Sequence, residues 1–280
     1  MLKNVRRFFI IVFMQTWICY FAILLLGLNA HEGLGMVFLI CGGMAPSLIG
    51  VIMAFVTYSK EERKEFFRRF YQVKRIGVAW WAFILLIYPA IHVVALLITL
   101  ISGGEMPEME LLRSIMQNPA SLLPVLVINF FINGAWPEEF GWRGFALQPL
   151  LERFGFAKAS FLLGTIWAVW HLPLFFMPAQ GHYQMGFIGF WFFLLQSIGL
   201  SAMMSFVHTK TKQSILAVML LHMFCNLTSN LMFSYSHTYE RIGFVLVFVV
   251  GVILCVKSHR TKGQNEMILT FRKKKKPHKH

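Results

Sequence analysis

Three groups of residues in this chain have types and spacings that could do chemistry. The first is Glu138, Glu139 and Arg143 in GAWPEEFGWRGF (134–145), three charges inside a strongly apolar stretch. One charge at the centre of a bilayer costs roughly 2.5–3.5 kcal/mol on insertion scales, so three together need a reason. Glu139 and Arg143 are one helical turn apart, a spacing at which a carboxylate and a guanidinium can pair. Glu138 projects about 100° away and has no partner in that register. A carboxylate left unpaired in a low-dielectric site suits a group that must take and give a proton near neutral pH. The two glutamates would also titrate as a coupled pair.

The second group is His171 in TIWAVWHLPLFF (165–176), where a proline two residues later takes the backbone out of regular helix. The third is His222 and Asn226 in LLHMFCNL (220–227), four residues apart and so on one helix face, where both can donate to a common point. Each group alone also has a structural reading: an ion cluster tying one span to its neighbours, a packing histidine, and an interhelical hydrogen-bonded pair. Together they suffice to hydrolyse an amide bond. A base and a polarising imidazole would activate water, and two donors would stabilise the tetrahedral oxyanion. No serine or cysteine sits beside a histidine as a nucleophile would, so water is the expected attacker.

The elements that must position these groups are membrane helices. The 280 residues are 57% hydrophobic and 14% charged, with a mean hydropathy of +0.63, a balance foreign to a soluble domain of this length. Apolar windows long enough to span fall near 8–28, 34–58, 77–101, 122–146, 156–177, 186–207, 214–233 and 242–257. The expected fold is therefore all-α: a polytopic integral membrane protein of about eight transmembrane helices enclosing a polar cavity. Residues 1–262 form its membrane domain, with a motif-bearing core at about 122–233, and 263–280 a disordered basic tail. The first window exceeds the apolar core of a signal peptide and reads as a retained span.

The formal charge of +14 sorts by loop rather than forming a nucleic-acid patch. With both termini in the cytoplasm, every Lys and Arg except Arg113 and Arg241 falls on the inner side, as the positive-inside rule asks of an even number of spans. The basic balance then serves topology and attraction to anionic lipids, and the expected location is the cell membrane. The loop 59–77 alternates charges and aromatics as an amphipathic inner-leaflet helix or a solvated basic loop would, and MELLRSIM in the outer loop 102–121 reads as one short helix. Cys19, Cys41, Cys225 and Cys255 lie in apolar windows without CxxC spacing and read as reduced fillers. His31, His92, His182, His208 and His237 are assigned no chemistry.

At its polar residues the sequence resembles the CAAX-protease and bacteriocin-processing (Abi) family of intramembrane proteases, related to the CAAX prenyl endopeptidase. The family's EExxxR motif is intact from Glu138 to Arg143, and its HxxxN motif runs from His222 to Asn226. Its FxxxH motif is matched at His171, with Trp167 where phenylalanine is usual. The resemblance implies an eight-helix fold whose cavity opens towards the cytoplasm. It implies that Glu138 and His171 hold and activate water, that Glu139 supports them, that His222 and Asn226 form the oxyanion hole, and that Arg143 is structural.

The family is often described as metalloproteases, and Glu138, His171 and His222 could make a zinc site with an open position. HExxH spacing is absent and Asn226 is a poor zinc ligand, so the expectation is glutamate-activated water without an obligatory metal, with Zn2+ the alternative. Expected partners are membrane lipids and a peptide or protein substrate, lipidated or not; nucleic acid is not one. Competing functions are a proton- or cation-coupled transporter and a non-catalytic bacteriocin-immunity protein.

Overall fold

The computed structural model describes residues 2–178, 180–232 and 237–274. Their regular structure is all helical, with no strand among the described residues. In order come α1 (Leu2–Leu25), α2 (Gly33–Gly43), α3 (Ala45–Thr57), α4 (Lys60–Tyr71), α5 (Val78–Ile101), α6 (Glu110–Gln117), α7 (Leu122–Phe131), α8 (Ala135–Glu139), a π-helical segment (Phe140–Ala146), α9 (Leu147–Trp170), α10 (Gly181–Lys210), α11 (Ile215–Leu231) and α12 (His237–Lys274). Of the expected basic tail, residues 275–280 lie outside the described residues.

The chain is a multi-pass membrane protein, but the count of eight spans is not confirmed. Five helical segments are long and apolar enough to cross, or six if α2 and α3, bent by 47°, are one span. Pro46 in the first turn of α3 is tolerated because the amide it lacks has no intrahelical acceptor there. The shortfall has two physical sources. Helix α11 has 17 residues, about 26 Å of helix against a hydrocarbon core of roughly 30 Å. The fourth and fifth expected windows fall in one apolar run, Pro119–Phe176, of 58 residues. At 1.5 Å per residue that run would reach about 87 Å, so it cannot be one crossing. It is broken at Gly134 and Gly155, where φ is +101° and +75°.

Large apolar side chains such as Leu25, Val56, Leu86 and Ile101 face outward from the long helices, as lipid-facing positions do. The interior holds most of the buried polar groups. Helix α11 lies at its centre, packed against α5, α7, α8 and the π-helical segment, while α10 packs between α9 and α12. Helix α4 exists as the amphipathic pattern suggested, opened by a capping box between Ser59 and Glu62. It is not simply laid on a surface. Phe66 is buried against Phe140, and the buried Arg69 donates from Nη2 to the Gly144 carbonyl at 2.9 Å. MELLRSIM supplies most of α6.

Candidate active site

The site begins at a break in the backbone. Helix α7 ends at Phe131 and α8 starts at Ala135, and the turn between them puts Gly134 at φ +101°, a conformation L side chains rarely adopt. Asn226 on α11 holds this turn by donating from Nδ2 to the Asn133 carbonyl. A methyl group built on Gly134 would stand 2.9 Å from Glu138 Oε1 and 2.9 Å from His222 Nε2. The missing side chain thus lets a carboxylate oxygen and an imidazole nitrogen from two different helices approach one spot.

From that turn the chain runs through α8 into the π-helical segment, whose wider winding returns the amide of Leu147 to the carbonyl of Trp142 five residues earlier. Its close seat against α3 depends on paired glycines. A Cβ on Gly141 would lie 2.1 Å from the Pro46 carbonyl, and one on Gly50 would lie 2.6 Å from Gly141 Cα. Ser47 ties the two together: its hydroxyl donates to the Trp136 carbonyl at 2.7 Å and accepts from the Phe140 amide at 3.2 Å. This rigid seat matters because it carries the first charged group.

Glu139 and Arg143 are both wholly buried and pair as their spacing predicts, with Nη1 2.8 Å from Oε1. The same carboxylate oxygen lies 2.8 Å from His222 Nδ1. An ionised carboxylate only accepts, so Nδ1 carries the hydrogen and Nε2 is left facing Gly134. Neutral His222 therefore presents a lone pair there. To donate at that spot the ring must carry a hydrogen on both nitrogens.

Glu138 is also buried but makes a different contact. Trp167 on α9 donates from its indole Nε1 to Glu138 Oε2 at 2.5 Å, so the carboxylate that lacks a partner in its own helix finds one across the fold. The backbone carbonyl of Trp167 lies 2.9 Å from His171 Nδ1. A carbonyl can only accept, so His171 carries its hydrogen on Nδ1 and keeps a lone pair on Nε2. The Trp167 ring further meets Arg143, whose Cζ is 4.6 Å from the centroid, and stands edge-on to His171 and His222 with centroids 5.7 and 5.3 Å away.

All six predicted site residues thus gather around Trp167 and the Gly134 turn. Gly134 and Ser47 were not singled out from sequence, and His182, assigned no chemistry there, stacks its ring on His171 at 5.4 Å. His92 and His208 are buried elsewhere, and His92 Nδ1 pairs with the Tyr239 hydroxyl at 2.7 Å. Position 167 was visible only as an unusual aromatic.

The residues also bear on metal binding. Among the described residues, Glu138, Glu139 and His222 each bring one ligand atom within 4.8 Å of the others. Glu139 Oε2 is buried with no hydrogen-bond partner, and His222 is committed to Glu139 through Nδ1 and turns Nε2 to the Gly134 spot, so two carboxylates and one imidazole fit a divalent cation chemically. His171 is not part of this set, unlike in the zinc alternative drawn from sequence.

Comparison with known proteins agrees with the motifs. Residues 119–228 match the family described as type II CAAX prenyl endopeptidase Rce1-like. The chain is 27% identical over 233 residues to CAAX prenyl protease 2 of Methanococcus maripaludis, a span covering 82% of this chain and 85% of that protein.

Proposed function

We propose, from this chain's kinship with the Rce1-like type II CAAX prenyl endopeptidases, that it is an intramembrane CAAX-type protease whose attacking water is activated by Glu138 and His171. The single observation that carries this reading is the convergence of Glu138 Oε1 and His222 Nε2 on Gly134, with His171 held alongside by Trp167. Glu138 Oε1 is the oxygen not taken by the indole, and it is the base. It removes a proton from water as the water oxygen bonds to the scissile carbonyl carbon. The lone pair on His171 Nε2 accepts the water's second hydrogen and orients it.

The oxyanion then needs donors. His222, as an imidazolium held by Glu139, supplies Nε2–H, and Asn226 supplies the second hydrogen of its Nδ2, the first being committed to Asn133. When the carbon–nitrogen bond breaks, Glu138 returns its proton to the leaving amine, so the net change is addition of one water across the peptide bond. Arg143 holds the Glu139 carboxylate in place through its 2.8 Å contact from Nη1 to Oε1. Were a divalent metal bound, Glu138, Glu139 and His222 would hold it, and it would supply Lewis acidity to the carbonyl or to water.

The substrate in this reading is a membrane-associated or lipidated peptide or protein, because the reacting groups lie within a helical bundle whose outer surface is apolar. The distribution of Lys and Arg among the loops supports cytoplasmic termini in this reading. The test is cleavage of a fluorogenic prenylated peptide by the purified protein and by Glu138→Ala and His171→Ala. Loss of cleavage in both variants is the expected result. Cleavage by both at the wild-type rate would overturn the assignment and leave proton-coupled transport or non-catalytic binding as the surviving readings.

A further inference from the structure

The indole N–H of Trp167 sits 2.5 Å from Glu138 Oε2, while the main-chain carbonyl of the same residue sits 2.9 Å from His171 Nδ1. We infer that Trp167 is a positioning residue that aims both water-facing atoms, selecting Oε1 of Glu138 as the base and Nε2 of His171 as its partner. The inference rests on the proposed hydrolytic reading and adds to it a residue whose side chain never touches substrate.

Burial alone does not demand this contact. Trp142 is wholly buried and its Nε1 has no hydrogen-bond partner, whereas Trp170, also buried, donates to Thr16 Oγ1 at 2.8 Å. The fold therefore tolerates a buried indole without an acceptor. At position 167 the donor instead faces the Glu138 carboxylate, which has no partner in its own helix register. A phenylalanine here could keep the edge contacts to His171 and His222 and the ring beneath Arg143, but it has no hydrogen to give.

The consequence is geometric. A carboxylate restrained only through its own side-chain torsions can present either oxygen towards the Gly134 turn. One anchored at Oε2 presents Oε1 there, where a Gly134 methyl would touch it. Because the carbonyl of the same residue also fixes the ring of His171, a shift of the α9 backbone at 167 moves both groups together. The separation of base and imidazole is thereby held by one residue, which is what a near-attack geometry needs.

The experiment compares Trp167→Phe with wild type and Glu138→Gln, using a fluorogenic prenylated peptide and recording kcat, KM and melting temperature. A hydrogen bond to a charged group is worth enough to predict a kcat lower by roughly 10- to 100-fold, with KM changed by less than about twofold. Replacing Trp167 with 3-benzothienylalanine, which keeps the shape and puts sulfur in place of N–H, should give the same loss and covers the case in which phenylalanine disturbs packing. If Glu138→Gln is inactive while the benzothienyl variant keeps wild-type kcat, the positioning role is overturned and the hydrolytic reading stands. If Glu138→Gln cleaves as wild type does, the hydrolytic reading itself fails. A rise in KM with unchanged kcat would likewise contradict positioning.

Discussion

His222 Nδ1 lies 2.8 Å from Glu139 Oε1, so the glutamate that pairs with Arg143 within its own segment also holds an imidazole on α11, 83 residues further along the chain. Two helices that bring different parts of the site are thereby joined by one wholly buried oxygen. Its removal should be felt in both stability and chemistry.

Glu139→Ala leaves Arg143 buried without a carboxylate and releases His222. Breaking one side of a buried ion pair costs about 3–5 kcal/mol, so we expect a marked fall in thermal stability in detergent together with loss of cleavage. Glu139→Gln should retain more stability than Glu139→Ala, because the amide oxygen can still accept, yet be similarly inactive. A Glu139→Gln protein with wild-type kcat would show that the carboxylate charge is not needed on His222.

Gly134→Ala places a methyl 2.9 Å from both Glu138 Oε1 and His222 Nε2, on a backbone with φ +101°. The strain should cost of order 1–3 kcal/mol. The larger effect falls on activity, which we expect to drop by about 100-fold or more as the two polar atoms are pushed from their common spot. Kinetics beside a melting curve separates the two contributions.

Asn226→Ala removes the clamp on the Asn133 carbonyl and, in the proposed mechanism, the second donor to the oxyanion. Loss of one oxyanion donor typically costs 10²–10³ in kcat, and a drop of about that size with KM little changed is expected. Asn226→Asp, which replaces the donor by an acceptor facing a carbonyl, should be no better.

On the reading given above, the purified protein cleaves its peptide in the presence of a chelator such as 1,10-phenanthroline. Loss of activity that zinc restores, with metal content falling in both the Glu139→Gln and His222→Ala variants, would instead make Glu138, Glu139 and His222 ligands.

Much of this arrangement was legible in the sequence because it depends on helical period alone. The four-residue spacings of Glu139 with Arg143 and of His222 with Asn226 put each pair on one face before any packing is known. The starts expected for two windows, 156 and 186, fall at or beside Gly155 and Gly186, where the backbone leaves helical geometry inside α9 and α10. What stayed hidden lies between elements. Nothing in a one-dimensional pattern connects Trp167 to Glu138, or brings His182 onto His171, since both contacts depend on how α8 to α10 pack. The count of eight spans is not confirmed, because apolar windows do not register a break such as Gly134, which divides the fourth window between α7 and α8. The burial of Phe66 and Arg69 was likewise masked by the charges around them in α4.

The central claim, that Glu138 is the base, is tested most directly by kcat for Glu138→Gln on a prenylated peptide, with matched melting temperatures showing that the fold is kept. Glutamine preserves shape and can still accept from the Trp167 indole, but it cannot take the proton from water. We predict a fall of roughly 10²–10⁴-fold, the usual contribution of general acid–base catalysis. A Glu138→Gln enzyme with the wild-type kcat would contradict the account.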